Sequence, residues 1–208
     1  MNSTTFRERI GRPYIMGELT AQSLNEQGKD GSRSSKRTDA INKSLIQILQ
    51  TMSGGSAEWS FVPEVGLPCS RGSNFKVDIA AYHKGKLRAV ILLKAIVKNY
   101  NKNRHNYANT VDGEMGRIFD VADRTGVDAI TIDWIPRHVP TGAKMEETSP
   151  ADMSLAEGRW NSYLGSRGNS VSFCKLRFNY DRRPNGLFPI TQMAGHLKLH
   201  TTLMRLFK

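Results

Sequence analysis

Two charged residues lie alone within neighbouring apolar runs of the chain. Asp78 and Lys94 are each surrounded by Val, Ile, Leu and Ala, and Lys84-Gly85 lies between the two runs. Apolar runs on both sides of a short turn predict two antiparallel strands joined as a β-hairpin. A buried ionised group is costly unless it is paired, solvated or bound to a metal. The pair therefore indicates a metal site built on the hairpin.

The elements around this hairpin are predicted in a definite order. Apolar residues recur at helical spacing in residues 38–52, and this helix ends at Ser53-Gly54-Gly55. A strand follows from Trp59 to Val65, where Pro63 favours an edge position or a bulge. After the hairpin come a second helix, ended by Gly126, and a β-branched strand over 127–135. The order is helix, strand, hairpin, helix, strand.

The hairpin resembles the core of the PD-(D/E)XK nucleases, restriction endonucleases among them. In that family an Asp on one strand and an acidic-x-Lys triplet on the next bind a divalent metal beside the scissile phosphate. Asp78 matches the family Asp and Lys94 the family Lys, whereas Val77 replaces the usual Pro and Leu92 the second carboxylate. The element order over residues 38–139 is also that of the family core. The resemblance implies an α/β fold with a mixed central β-sheet flanked by helices.

The resemblance also implies a Mg²⁺ site. Asp78 would be the central ligand, and Lys94 would orient or deprotonate the attacking water and offset phosphate charge. Leu92 supplies no carboxylate, which leaves three interpretations. Glu64 or Glu114 supplies the missing carboxylate from another element, or the chain is a weakened natural or engineered form, or it lies outside the family. Expected catalytic residues are thus Asp78, Lys94, Glu64 and Glu114, with Asp78 and Glu64 on the metal. If these two acids have no part in a metal site, we expect Glu64 to face solvent on its strand and Glu114 to be half-exposed on its helix.

A polar segment follows the Lys94 strand directly. It is rich in Asn, Lys, Arg, His and Tyr, the side chains that bind phosphates, base edges and base faces. The expected nucleic-acid contacts are Lys98, Asn101, Lys102, Asn103, Arg104 and His105. The alternative is an ordinary polar loop and helix cap.

Composition favours a polyanionic partner. The 208 residues carry a net charge of +11, from 30 Lys and Arg against 19 Asp and Glu. Such a balance indicates DNA, RNA or an anionic membrane surface, and we expect nucleic acid. No apolar run approaches a membrane-spanning length of about 20 residues, and residues 1–7 lack a signal peptide's apolar segment. The cysteines, Cys69 and Cys174, lie far apart without a zinc-type partner, which is consistent with a reducing cytoplasm.

The chain is predicted to form one domain preceded by an arm. Residues 1–37 are polar and basic and are expected to be a loop or arm. Residues 38–208 form a single nuclease-like α/β domain, with the core at 38–139 and a C-terminal addition at 140–208. The apolar tail from Pro189 is expected to be a closing helix or a dimer surface.

The expected function is that of a Mg²⁺-dependent DNA endonuclease of restriction type. It would hydrolyse phosphodiester bonds in double-stranded DNA as a cytoplasmic homodimer, so that two sites act on two strands. Two other functions remain open. One is a nucleic-acid-binding protein without catalysis, for which the charge and the polar segment suffice. The other is a basic structural component of a ribonucleoprotein or capsid.

Overall fold

The computed structural model describes residues 1–31, 35–70, 73–96, 100–141, 143–148, 171–181 and 190–208, with the backbone alone at 100–109 and 111. The helices are α1 Ser3–Ile10, α2 Arg12–Glu26, α3 Ser35–Met52, α4 Tyr100–Thr125 and α5 His196–Leu206. The strands are β1 Trp59–Pro68, β2 Asn74–His83, β3 Lys86–Ala95, β4 Asp128–Pro136, β5 His138–Thr141, β6 Lys144–Glu147, β7 Val171–Tyr180 and β8 Ile190–Ala194.

Six of these strands form one mixed sheet. Their order is β1-β2-β3-β4-β7-β8, and β5 pairs with β6 in a separate two-stranded sheet. Strands β3, β4 and β7 are mutually parallel, whereas the β1-β2, β2-β3 and β7-β8 pairs are antiparallel. The order α3-β1-β2-β3-α4-β4 is the predicted order of elements. The α/β fold with a mixed central sheet flanked by helices is confirmed.

The predicted hairpin is present with its turn at Lys84-Gly85. The φ angles of these two residues are 51° and 73°. Positive φ at both central residues is the geometry of the type I′ turn, whose twist matches that of the flanking strands. The turn therefore sets the pairing beside it, and an irregularity between Ala81 and Tyr82 then shifts the register by one residue towards the Asp78 end.

The two faces of the sheet carry separate apolar cores. One is covered by α1, α2, α3 and α5, which bury Phe6, Tyr14, Leu45 and Leu203 against Trp134 on β4 and other core residues. The other is covered by α4, whose buried side chains, Met115, Ile118, Val121 and Ala122, pack on Leu92, Phe173 and their neighbours. The predicted site residues of β3 therefore lie under a single helix.

Residues 1–37 do not form the expected arm where the structure describes them. Phe6, Ile10 and Tyr14 recur every four residues, which places them on one side of consecutive helical turns, and all three are fully buried. Asn2 caps α1, since its Oδ1 accepts a 2.9 Å hydrogen bond from the Thr5 amide. Although residues 1–37 are polar overall, their apolar stripe thus packs α1 and α2 against the core.

The end of the chain is also built differently from the expectation. Strand β8 precedes α5, so the tail from Pro189 is not helical throughout. Leu199, Leu203 and Leu206 are buried in this chain's own core. Leu197 is exposed. None of the helices in the described ranges combines the length and apolar character that a bilayer crossing requires.

Gly195 joins β8 to α5 and allows a sharp test of this packing. Its φ is 84°, and a Cβ there would overlap the Lys175 carbonyl oxygen. Gly85 has a φ of 73° with nothing within 4 Å of such a Cβ. We predict that Gly85→Ala lowers the free energy of unfolding by about 1–2 kcal/mol, the cost of left-handed backbone for Ala. Gly195→Ala should lower it clearly further, because the clash adds to the same backbone cost. Urea denaturation measures both, and equal losses would contradict the close approach.

Candidate active site

Asp78 lies where the backbone pairing between β2 and β3 ends. The paired residues run from His83 opposite Lys86 to Ile79 opposite Ile91. Next along β3, the Leu93 amide donates a 2.7 Å hydrogen bond to Oδ2 of Asp78. A side-chain carboxylate thus accepts from β3 at the end of the ladder. This bond fixes the orientation of Asp78 relative to β3.

The environment of Asp78 disfavours its negative charge. Burial raises the pKa of Asp78 to about 6, partly offset by the Leu93 hydrogen bond and the Lys94 charge, while Glu114 and Glu64 raise it further. The loss of solvation on burial is therefore the main reason that the charged form is disfavoured, and the Leu93 amide and Lys94 compensate it only in part. An added cation would be electrostatically favourable there.

Lys94 and Glu114 form an ion pair between β3 and α4. Nζ of Lys94 lies 2.5 Å from Oε2 of Glu114, and both side chains are a little over a quarter exposed. The predicted half-exposure of Glu114 is correct. Its carboxylate nevertheless points to the sheet and contacts the predicted catalytic lysine. The helix therefore brings one of the two expected displaced acids to the site.

Glu64 occupies a different position. Pro63 pairs with Ile79 and Val65 with Val77, so Glu64 lies across from Asp78 on β1. Its φ of 56° is unusual for a residue other than glycine and marks a local irregularity of this edge strand. The exposed Glu64 carboxylate accepts a 2.9 Å hydrogen bond from Nζ of Lys76. Glu64 therefore acts on Asp78 through charge and has Lys76 as its direct partner.

Leu92 lies on the same face as Lys94 and is 5% exposed. The two side chains line one cavity together with Glu114, Met115, Thr131, Asp133 and Phe173. As predicted for residues two apart on a strand, Leu92 and Lys94 point to the same side. Leu92 packs there as a core residue under α4.

The expected nucleic-acid contacts lie at the start of α4. The backbone of the polar segment is helical from Tyr100 onward, so the alternative of an ordinary polar loop is wrong there. No Gly or Pro interrupts residues 100–112, so the helix can extend back towards β3. Asn101, Lys102, Asn103, Arg104 and His105 lie on these turns, and their side chains are outside the described residues. Lys98 lies wholly outside them.

Two further polar residues of the site come from β4. Thr131 pairs with Leu92 and Asp133 with Lys94 across the parallel β3-β4 ladder. Thr131 is 3% exposed and Asp133 1% exposed. In the sequence, Asp133 can be a buried carboxylate or face a polar surface, whereas Thr131 does not stand out among β-branched neighbours. The available signal was their spacing, since two polar residues two apart in an apolar strand share one face.

The side chains present fit a magnesium ion only in part. Within the described ranges, no three or more His, Cys, Asp or Glu side chains are placed to hold a metal together. Protein Mg²⁺ sites often use one or two carboxylates and complete the octahedron with waters and substrate phosphates. The uncompensated charge around Asp78 fits such a site. Asp78 and Glu114 are the two carboxylates that best match a magnesium site of this kind.

The comparisons with known proteins give no family. No protein-family model matches the chain, and a search of curated proteins gives no significant match. Function must therefore be argued from the geometry of Asp78, Lys94 and Glu114.

The raised pKa of Asp78 predicts a pH-dependent stability. The folded pKa of about 6 exceeds the unfolded value of about 3.9, so protonated Asp78 favours folding. This contribution is full below about pH 4 and is lost as pH rises through 6. In metal-free buffer, Asp78→Asn should raise the free energy of unfolding relative to the parent by about 2–3 kcal/mol at pH 8 and by much less at pH 4. The Asn oxygen can still accept from Leu93.

Urea denaturation of both proteins at the two pH values measures this difference. Asp39→Asn is the matched control, because Asp39 is exposed on α3. A gain from Asp78→Asn that is equal at both pH values would contradict a half-buried and only partly compensated charge.

Proposed function

We propose that this protein is a Mg²⁺-dependent DNA endonuclease of restriction type. The observation that carries the proposal is that three separate elements bring Asp78, Lys94 and Glu114 together. Asp78 on β2 accepts a hydrogen bond from the Leu93 amide on β3, and Lys94 on β3 forms an ion pair with Glu114 on α4. One cation close to two carboxylates is an arrangement suited to a phosphate and a hard metal ion.

Asp78 and Glu114 are the residues that would hold Mg²⁺. When bound there, the ion would offset charge on the scissile phosphate and lower the pKa of a bound water. Lys94 donates hydrogen bonds from its ammonium group, which positions a non-bridging phosphate oxygen or the attacking water. The Leu93 amide keeps the Asp78 carboxylate oriented. Attack by the water oxygen forms a new P–O bond, and the bond to the leaving nucleotide oxygen breaks as that oxygen gains a proton.

The migrated acid in this proposal is Glu114 rather than Glu64. Glu114 contacts Lys94 directly, whereas the Glu64 carboxylate is exposed and bonded to Lys76. The proposal also names a nucleic-acid partner and an oligomeric state. A net charge of +11 favours a polyanionic partner, which in this proposal is double-stranded DNA that contacts the first turns of α4 beside Lys94. A cytoplasmic homodimer would place one site on each strand.

A non-catalytic DNA-binding function is the second candidate, and Leu92 favours it. The residue is buried in the α4 core, and the described chain offers no group of three acidic or metal-ligating side chains there. On this alternative, the Lys94–Glu114 pair fixes α4 on the sheet, and Asp78 closes the β2-β3 ladder.

Cleavage of plasmid DNA distinguishes the two functions. In the presence of MgCl₂, we expect Asp78→Asn, Lys94→Ala and Glu114→Gln each to lose about 100-fold or more of the cleavage rate while DNA affinity is retained. Glu64→Gln is the matched control and should stay within a few-fold of the parent. If Glu64→Gln alone is inactive, Glu64 is the migrated acid. If the parent binds DNA but leaves it intact at every Mg²⁺ concentration, the non-catalytic function is correct.

Leu92→Glu tests whether a metal can use the position that Leu92 occupies. Without Mg²⁺ the variant should unfold at a lower temperature than the parent, because a new buried carboxylate would lie near Asp78 and Glu114. MgCl₂ should restore much of this loss by binding the folded form. Leu92→Gln is the control, since it adds polarity without charge and should gain little from MgCl₂. Equal responses of the two variants in thermal denaturation would show that Mg²⁺ does not bind there.

A further inference from the structure

The two ends of the chain carry an excess of positive charge on the face of the sheet opposite the candidate site. Residues 1–12 and 190–208, which include α1, the start of α2, β8 and α5, contain six Lys and Arg and one acidic residue, Glu8. These short segments therefore carry nearly half of the net charge of +11. All six cations are exposed, and they are Arg7, Arg9, Arg12, Lys198, Arg205 and Lys208.

The six cations share one surface because α1 and α5 pack against each other. The ring centroids of Phe6 and His200 are 4.9 Å apart. Arg7 and Arg9 lie within one helical turn of Phe6, and Lys198 lies within one turn of His200. Packed helices are about 8–10 Å apart, so basic side chains of the two helices come within about 10–15 Å of one another. We call this exposed side, with its six cations, the α1–α5 surface.

Most of these cations have no acidic partner in the part of the chain that the structure describes. Arg7, Arg9, Arg12 and Lys208 form no ion pair there. None of α1, α2 and α5 has an acidic residue in its first turn, although Asp or Glu there would offset the positive end of the helix dipole. Like charges on a surface repel one another. A bound polyanion would relieve that repulsion.

The helix over the candidate site has the opposite charge balance towards its C-terminal end. Residues 112–125 of α4 carry four acidic residues against two arginines. In the absence of a metal ion, a polyanion is therefore attracted more strongly to the α1–α5 surface than to this part of α4. The sheet lies between the two helical layers. One short stretch of nucleic acid therefore cannot contact both.

The apolar side of α5 argues against a membrane as the partner. Leu199, Leu203 and Leu206 are buried in the core, so α5 cannot insert them among lipids as an amphipathic surface helix does. Leu197 is the one large hydrophobic residue of α1 and α5 that is exposed. Exposed cations with little exposed apolar area suit the phosphates of a nucleic acid, which are bound through charge.

We propose that the α1–α5 surface binds the phosphate backbone of nucleic acid, separately from the candidate active site on the other face of the sheet. Contacts to phosphates carry no sequence information, so this binding is independent of sequence. The surface holds a segment of nucleic acid other than the one that would lie at Lys94. It does not rest on the proposed cleavage, because it needs neither Mg²⁺ nor Asp78.

Binding to a short labelled duplex at several salt concentrations tests the surface. EDTA is included so that the duplex stays intact. The variant Arg7→Gln/Arg9→Gln/Lys208→Gln removes three exposed cations that form no ion pair in the described chain. Each lost phosphate contact lowers the slope of log Kobs against log salt by about 0.9. The slope should therefore become shallower by about 2–3, and the affinity at low salt should fall about tenfold or more.

The matched control is Lys86→Gln/Arg88→Gln/Lys144→Gln, which removes three exposed cations from β3 and β6. This variant should keep the slope of the parent. Equal losses in both triple variants would overturn the proposal, because net charge alone would then account for the binding. A parent that binds neither a DNA nor an RNA duplex would also overturn it. The same holds for a parent that prefers phosphatidylserine vesicles to both duplexes.

Acetylation footprinting locates the contact without any substitution. In the complex, Lys198 and Lys208 should be protected from an acetylating reagent, as read by mass spectrometry, whereas Lys86 and Lys144 should react as in the free protein. Equal reaction of Lys198 and Lys208 with and without nucleic acid would overturn the surface. Cleavage is read separately with MgCl₂. Protection together with intact DNA would support the surface and refute the proposed function.

Discussion

The hydrogen bond from the Leu93 amide to the Asp78 carboxylate is the interaction on which the site depends. It places a half-buried carboxylate between two strands, where the loss of solvation raises the pKa of Asp78 to about 6. A charge in that position must be compensated by its surroundings. Lys94 follows Leu93 on β3 and supplies part of the compensation. The geometry of β3 therefore fixes both the carboxylate and the cation beside it.

The N-terminal helices support the end of this strand from the opposite face of the sheet. The Tyr14 hydroxyl donates a 3.1 Å hydrogen bond to the Ile96 carbonyl, and an Nη of Arg37 reaches the Ala95 carbonyl. Burial lowers the pKa of Arg37, while the nearby Glu18 charge raises it. The two side chains are within 3.7 Å and almost buried. Residues of the expected arm thus bind the backbone directly after Lys94, at the end of β3.

The two faces of the sheet perform different tasks. The face under α1, α2, α3 and α5 is a continuous apolar core around Trp134, which supplies the packing that orders the strands. The face under α4 is apolar towards Ala129 and Val171 and becomes polar along β3 and β4 at Lys94 and Asp133. Because these strands are parallel, the change occurs at their shared C-terminal ends. Ligand sites of open α/β sheets commonly lie at that edge.

Local sequence determined much of the framework. The Lys84-Gly85 turn and its flanking apolar runs specify the hairpin, because positive φ at both positions selects one turn type. Alternation over Val171–Tyr180 and the helical stripe before Gly126 similarly specify β7 and the second half of α4. The positions of Asp78 and Lys94 on adjacent strands follow from the hairpin alone.

Tertiary structure decided which other residues join them. The sequence offered Glu64 and Glu114 as displaced acids and placed Glu64 on the metal, whereas the packing of α4 on β3 brings Glu114 to Lys94 and leaves Glu64 paired with Lys76. Thr131 joins the site through the parallel register of β4, and Arg37 left the predicted basic arm for a buried ion pair. These contacts join residues far apart in the chain. Local propensity carries no information about such pairs, because their energies depend on burial and distance, which exist only after the elements have packed.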